Sequence, residues 1–66
     1  MTNALKAIRV KKGLTQEQLA ALVNVSRQSI ISVESGQYIP TTLLALKLAT
    51  ALKVKVEDLF MLEKGD

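Results

Sequence analysis

The sequence predicts an all-α fold of five short helices in a single domain over residues 1–66. Three observations predict it. Apolar residues recur at helical spacing, side chains that cap helices precede several of these runs, and glycine or proline interrupts the chain between them. A chain of 66 residues is long enough for one modest hydrophobic core, and we expect no second domain. The sequence contains no internal repeat, low-complexity run or long linker.

The first helix is predicted over residues 3–12. Leu5 and Ile8 lie three residues apart, so they share one face of this helix and are expected to point into the core. Gly13 follows the helix and ends it, since glycine is a common residue just after a helix C-terminus.

The second helix is predicted over residues 16–23, because its start carries two independent signals. Thr15 and Gln18 have the spacing of a capping box, in which each side chain bonds the backbone amide of the other residue. Leu14 and Leu19 flank the cap at the spacing of a hydrophobic staple.

The third helix is predicted over residues 27–35, directly after the second. Ser26 is a favourable N-cap residue, and Gly36 ends the helix because it can adopt a positive φ. Asn24 lies between the two helices, and asparagine tolerates the left-handed backbone that a sharp turn needs. Two short helices joined in this way indicate a helix-turn-helix.

The fourth helix follows the loop Gln37–Pro40, begins after a Thr41 cap and ends near Leu52. Its inward face is predicted from residues at helical spacing: Ala45, Leu48, Ala49 and Leu52. A last short helix is predicted over residues 56–61. For the chain ends, at Met1–Ala4 and Met61–Leu62, the sequence leaves open short terminal strands or frayed tails.

The outward face of the third helix carries side chains that can read base edges. Ile30 and Val33 share one side and are expected to be buried. The residues that point away from them, or lie at the edge of that face, are Arg27, Gln28, Ile31 and Ser32. Arginine and glutamine can form paired hydrogen bonds with a base edge, and serine can donate to or accept from one. An isoleucine can contact a thymine methyl group. An ordinary surface isoleucine and an arginine that reaches only phosphate are the alternatives.

Composition excludes several function classes. The sequence has no cysteine and no histidine, so disulfides, thiol chemistry, the usual zinc sites and imidazole catalysis are excluded, and no metal or cofactor is expected. The carboxylates of Glu57 and Asp58 are adjacent on a helix and diverge, so no enzyme is predicted. The apolar stretch Leu43–Leu52 is too short to cross a bilayer, and no segment resembles a signal peptide, so we expect a cytoplasmic protein.

The charge of the chain favours a polyanionic partner. The formal net charge is +3. The first twelve residues contain no acid and hold four cations: Lys6, Arg9, Lys11 and Lys12. This distribution is typical of, although not unique to, proteins that bind nucleic acid.

From about Leu5 to Phe60 the sequence resembles the Cro and phage-repressor (Xre-type) family of helix-turn-helix DNA-binding proteins, and most of all its compact one-domain branch, which includes cytolysin-type repressors. The residues that carry the resemblance are Leu14-Thr15-Gln16, Leu19-Ala20, Val23, Val25-Ser26-Arg27-Gln28-Ser29-Ile30, Val33-Glu34, Gly36, Pro40, Ala45-Leu46-Lys47 and Glu57-Asp58-Leu59-Phe60.

The resemblance implies a lambda-repressor-like domain with its helix-turn-helix at about residues 16–35. It implies a transcriptional regulator that acts as a repressor, with double-stranded DNA as partner and no small-molecule ligand. A homodimer would bind a pseudo-palindromic operator through successive major grooves. The rival interpretation is a protein-interaction adaptor or antitoxin-like module on the same fold.

The resemblance also implies roles for individual residues. Gln16 would contact a phosphate and brace Gln28, and Arg9 would form a partly buried salt bridge with Glu34. The remaining phosphate contacts would come from Ser29, Gln37, Tyr38, Thr41 and Lys12. Packing of Tyr38 over its loop is the equal alternative to its phosphate contact.

The end of the chain is too apolar to be left exposed, which predicts a dimer interface there; closing the core of the monomer is the alternative role. Its residues are Val56, Phe60, Met61 and Leu62. Four positions depart from the family pattern: Asn24 and Lys53 stand where glycine is usual, Lys55 replaces a helix-capping residue, and Leu43 replaces a polar one. Leu43 is expected either to be exposed or to join a subunit interface.

Overall fold

The computed structural model describes residues 2–61 and is mostly helical, as predicted. The elements in chain order are β1 (Thr2–Asn3), α1 (Leu5–Lys11), α2 (Gln16–Leu22), α3 (Arg27–Glu34), α4 (Thr42–Leu52), α5 (Val56–Leu59) and β2 (Phe60–Met61).

Three helices begin at side-chain caps that the sequence predicted. At α2 the Thr15 hydroxyl accepts from the Gln18 amide at 3.0 Å, and the Gln18 carbonyl oxygen accepts from the Thr15 amide at 2.9 Å. Ser26 accepts from the amide of Ser29 at 3.1 Å, and Thr41 from that of Leu44 at 3.2 Å. These bonds satisfy amides that would otherwise lack a partner in the first helical turn.

Within residues 2–61, two non-glycine residues adopt the left-handed backbone, one in the turn after α2 and one in the turn after α4. Asn24, between α2 and α3, has φ +60°, and Lys53, between α4 and α5, has φ +58°. Both turns close on the preceding helix in the same way: the Val25 amide donates to Ala20 O and the Val54 amide to Ala49 O, each at 3.0 Å.

The core gathers leucine, isoleucine and valine side chains from all five helices. Leu5, Leu19, Ile30, Val33, Leu48 and Leu59 are fully buried, and Leu52 is nearly so. One predicted core position is wrong in part. Ala45 is only half-buried, and Leu44 lies inward in its place. Leu44, Leu48 and Leu52 form an i, i+4, i+8 row, so Ala45 falls at the edge of the buried face.

The chain ends form strands, which decides between the two alternatives. β1 and β2 are antiparallel, with Thr2 opposite Met61 and Asn3 opposite Phe60. The Ala4 amide extends the pairing by donating to Leu59 O at 2.8 Å. Because the strands use these residues, α1 begins later and α5 ends earlier than predicted. Met1 and Leu62 lie outside the described residues.

The strand pair is anchored to the third helix. The Asn3 side-chain amide donates to Val33 O at 3.0 Å, so β1 closes over the C-terminal end of α3. Within residues 2–61, every helix is too short, or not apolar enough, to cross a membrane.

Candidate nucleic-acid interface

The α3 helix separates an apolar inner face from a polar outer one. Ile30 and Val33 are fully buried, whereas Arg27 and Gln28 are exposed. Ile31 and Ser32 were expected to point away from the protein, but they are half-buried. They lie on the flanks of the helix, so Arg27 and Gln28 are its most accessible predicted base-contacting residues.

The first turn of α3 is held by its own serines. The Ser26 hydroxyl accepts from the Ser29 amide and also lies 3.0 Å from the Ser29 hydroxyl. Ser29 is half-buried on the flank of the helix, and its hydroxyl is within hydrogen-bond distance of the Ser26 hydroxyl. This arrangement fixes the backbone from which Arg27 and Gln28 project.

The loop after α3 folds back onto the helix. The amides of Gln37 and Tyr38 both donate to Ser32 O, at 3.1 and 3.2 Å. This brings the exposed Tyr38 ring beside the outer face of α3. An open pocket of about 220 Å³ lies between them, lined by Ser26, Gln28, Ser29, Ser32 and Tyr38.

A second open pocket lies between this loop and α4, and one of its lining residues is a lysine. Its polar lining residues are Asn24, Ser29, Tyr38, Thr41 and Lys47. From the sequence, Lys47 was recognised only as one of the residues that carry the family resemblance. Its position six residues after the Thr41 cap was the available signal that it lies beside the predicted phosphate-contacting loop. Lys12 is exposed but lines neither pocket, whereas Gln37 is exposed in the loop itself.

A buried ion pair lies behind the interface. Arg9 Nε donates to Glu34 Oε2 at 2.6 Å, and the two side chains are 9% and 6% exposed. Arg9 Nη1 also donates to Leu14 O at 2.7 Å, and Nη2 donates to Glu34 Oε1 at 3.4 Å. The guanidinium thus binds the end of α3 and the residue before the cap of α2, which ties three helices together.

Gln16 joins this pair. Its side-chain Nε2 donates to Glu34 Oε1 at 3.1 Å. The family resemblance implied that Gln16 braces Gln28. In the structure its side-chain amide bonds Glu34, which lies at the end of α3 beside the first residue of α2. The bond links the beginning of one helix to the end of the other.

An apolar groove lies away from α3, between the loop, α4 and the chain end. It has a volume of about 210 Å³ and is lined by Ile39, Pro40, Thr42, Ala45, Leu46, Val56 and Phe60. Ile39 is 69% and Leu46 51% exposed, a large fraction for such side chains. The sequence analysis named Val56 and Phe60 for an interface but missed these two. The sequence did carry signals for them, since Ile39 is an isoleucine in a loop and Leu46 lies off the core face of α4.

The other residues predicted for the interface lie in different places. Met61 is exposed beside the groove's Phe60, whereas Leu62 falls outside the described residues. Leu43 is exposed, as one of its two alternatives stated, and lines the pocket near Lys47 instead of the apolar groove.

Comparisons with known proteins agree with this geometry. A helix-turn-helix family model, HTH_3, matches residues 5–59. An uncharacterized HTH-type transcriptional regulator of Methanocaldococcus jannaschii, MJ0272, is 49% identical over 66 residues and covers 100% of both chains. Another from Bacillus subtilis, YgzD, is 44% identical over 64 residues, 97% of each chain.

Solved structures show the same fold. The restriction-modification controller protein C.AhdI of Aeromonas hydrophila superposes with a TM-score of 0.80 at 43% identity, over 85% of each chain. The clp gene regulator ClgR of Corynebacterium glutamicum gives a TM-score of 0.79 at 31% identity, over 83% of this chain and 58% of its own. These relatives are regulators and not enzymes. With its fold, its capped α2–α3 unit and these similarities, the chain belongs to the Xre-type helix-turn-helix family of DNA-binding transcriptional regulators.

Proposed function

We propose that this protein is a cytoplasmic repressor that binds a pseudo-palindromic operator as a homodimer. The observation that carries the proposal is the two-sided α3 helix. Its inner face is fully buried, while Arg27 and Gln28 project from the opposite side on a backbone held by the Ser26 cap. A rigid helix with free polar side chains is what major-groove recognition needs.

Base contacts are assigned to α3. Arg27 would bond a guanine through two parallel hydrogen bonds, and Gln28 would bond an adenine in the same way. The half-buried Ile31 and Ser32 lie on the flanks, so they would contact bases at the margins of the site, with Ile31 against a thymine methyl group.

Phosphate contacts are assigned to the rim of this surface. Ser29 lies on the flank of α3, and the other assigned residues belong to neighbouring segments: Gln16, Gln37, Tyr38 and Thr41. We add Lys47 because it lines the same pocket as Tyr38 and Thr41. Such contacts set the position of α3 on the duplex without reading sequence. Lys12 lies apart from these pockets, so its phosphate contact would be made outside them.

The homodimer is assigned to the apolar groove. Ile39 and Leu46 are exposed beside the partly covered Val56 and Phe60, and Met61 extends the same apolar region. A contiguous apolar surface of this kind favours association, and a two-fold dimer covers the same patch on both chains. Two copies of α3 would then enter successive major grooves roughly 34 Å apart.

The repressor role is supported by the resemblance to phage repressors, and the regulatory role of relatives such as C.AhdI agrees with a regulator of this size. The same apolar groove also favours the second candidate, an adaptor that binds another protein. The polar outer face of α3 favours the repressor, because an adaptor has no need of Arg27 and Gln28.

The test is selection of a randomised duplex library near physiological salt with the protein and with an Arg27→Ala, Gln28→Ala variant. We expect a two-fold motif with half-sites about ten base pairs apart that disappears with the variant. Enrichment of no motif, with weak and steeply salt-dependent binding to every duplex, would overturn the proposal in favour of the adaptor.

A further inference from the structure

The carboxylate of Glu34 accepts hydrogen bonds from the Arg9 guanidinium and from the Gln16 side-chain amide, and only the first is needed for the ion pair. Oε2 receives the short 2.6 Å bond from Arg9 Nε. Oε1 lies 3.4 Å from Arg9 Nη2 but 3.1 Å from Gln16 Nε2, so its better bond goes to the amide. Oε1 is therefore shared between the guanidinium and Gln16, and the shorter of its two bonds comes from Gln16.

We propose that Glu34 is a positioning residue for DNA binding, which holds the Gln16 amide in one orientation toward the phosphate backbone. This inference rests on the proposed function, since it deepens the role given there to Gln16. Glu34 itself is almost fully buried and does not reach the DNA.

The geometry supports a directional effect. A glutamine amide has two N–H donors and one oxygen acceptor, and a free one can turn to present either group. Glu34 accepts one N–H of Gln16, and a carboxylate cannot donate, so it fixes which end of the amide carries the donors. The same nitrogen carries a second N–H, and because Gln16 is only half-buried, the proposal assigns that N–H to a phosphate oxygen.

The Arg9 side chain is what keeps this carboxylate in place. Its bonds to Glu34 and to Leu14 O fix the guanidinium between α1, the α2 cap region and the end of α3. A freely rotating Gln16 would lose rotamer entropy on binding each phosphate, whereas the held side chain has lost it on folding. The triad of Arg9, Glu34 and Gln16 thus prepares a DNA contact from behind the surface.

The experiment is a double-mutant cycle in DNA affinity. One arm is Gln16→Ala, and the other is the paired change Arg9→Met with Glu34→Met, which replaces the ion pair with apolar side chains of similar length. Removing both charges together avoids an unpaired buried charge, so the fold is expected to persist. All four proteins in the cycle have the same net charge, so long-range attraction to DNA is matched.

The probes are the duplex selected by the wild-type protein and a mixed-sequence duplex of about three helical turns. Gln16→Ala is expected to weaken binding roughly tenfold in the wild-type background and less than twofold in the paired background. Tyr38→Phe is the control, because its hydroxyl has no part in the triad and its effect should be equal in both backgrounds. An equal loss from Gln16→Ala in the two backgrounds would show that Glu34 serves only stability.

Glu34→Asp provides a second route if the paired variant does not fold. Aspartate keeps the charge for Arg9 but is one methylene shorter, so it cannot reach both partners. We expect it to reduce the effect of Gln16→Ala in the same way, with the folded fraction checked by circular dichroism. If the wild-type protein binds neither duplex, the proposed function fails. If it binds and the cycle shows no coupling, this inference alone fails.

Discussion

The α2–α3 and α4–α5 units have the same local backbone but opposite surfaces. Each joins two helices through a left-handed residue, Asn24 at φ +60° and Lys53 at φ +58°. The α3 helix, which follows the Asn24 turn, presents Arg27 and Gln28 to solvent. The α4 helix, which precedes the Lys53 turn, presents Leu46, and the loop before α4 presents Ile39.

This difference shows that side-chain chemistry, and not the helix-turn-helix backbone, decides what each unit can bind. Exposed polar groups are satisfied by water and can exchange that water for base edges. Exposed leucine and isoleucine gain free energy only when another apolar surface covers them. In the proposed function, the first unit therefore binds DNA and the second binds another copy of the chain.

The two units also differ in how they are supported. Behind α3 lies the buried Arg9–Glu34 pair, whereas the start of α5 is held only from one side. Asp58 accepts from the Lys55 amide at 3.1 Å, and the Lys55 side chain, which has no acceptor atom, does not cap the helix. Four changes would test the comparison.

Arg9→Met should have the largest effect. It leaves the Glu34 carboxylate buried without its cation, which is expected to cost about 3–5 kcal/mol of the free energy of unfolding. Urea denaturation measures this cost, and the Arg9→Met, Glu34→Met pair is the control, because it should recover most of it. A loss below about 1 kcal/mol would mean that the pair behaves as an exposed one.

Ile39→Glu should separate the proposed dimer without unfolding the chain. Ile39 is 69% exposed, so a charge there is hydrated in the monomer but would be buried without a partner in the assembly. We expect sedimentation to show a monomer and affinity for a two-site duplex to fall about 100-fold, a loss of roughly 2.7 kcal/mol.

Leu22→Glu is the matched control for Ile39→Glu. Leu22 is 60% exposed on α2 and lies outside the apolar groove, although it lines a separate pocket with Leu46. It should leave the dimer intact. If Leu22→Glu gave monomers while Ile39→Glu stayed dimeric, the subunit interface would lie on the α2–α3 unit and not at the apolar groove.

Gln28→Ala should act on one base position only. A lost bidentate contact weakens binding to the matching base by about 1–3 kcal/mol per half-site, and the exposed side chain contributes nothing to the core. Fluorescence anisotropy across single-base variants of the selected duplex measures this. The neighbouring exposed Gln37 is the comparison, since Gln37→Ala should weaken all duplexes equally. A uniform loss from Gln28→Ala would reassign it to phosphate.

Lys53→Gly should have the smallest effect, and a stabilising one. Lysine at φ +58° crowds its Cβ against the backbone, and glycine removes that strain, with a gain of about 1 kcal/mol after its own entropy cost. Asn24→Gly should change stability by under about 0.5 kcal/mol, because asparagine tolerates this conformation. Thermal unfolding of both variants measures the difference, and equal gains would contradict this account.

Much of the fold could be predicted because its signals are local. The caps at Thr15, Ser26 and Thr41 depend on side chains within three residues of the amides that they bond. The left-handed turn at Asn24 follows from a residue that tolerates positive φ. The sidedness of α3 follows from its period alone, since Ile30 and Val33 recur at helical spacing.

Contacts between distant segments could not be predicted in this way. The pairing of Thr2 with Met61 needs the two ends of the chain to meet, and two-residue strands have too little sequence to show a period. The groove likewise joins Ile39 to Phe60 through tertiary packing. The bond from Gln16 to Glu34 depends on how α2 and α3 cross, so a sequence could suggest a phosphate contact there but not what holds it.

The sequence by itself therefore determined the helices, their caps and the polar face of α3, because each depends on residues a turn or two apart. The tertiary structure alone decided which exposed side chains share a pocket, where the chain ends pair and which carboxylate oxygen holds Gln16. Those outcomes depend on distances of a few ångströms between segments up to 59 residues apart, as with Thr2 and Met61. Only the packing of the whole core sets such distances.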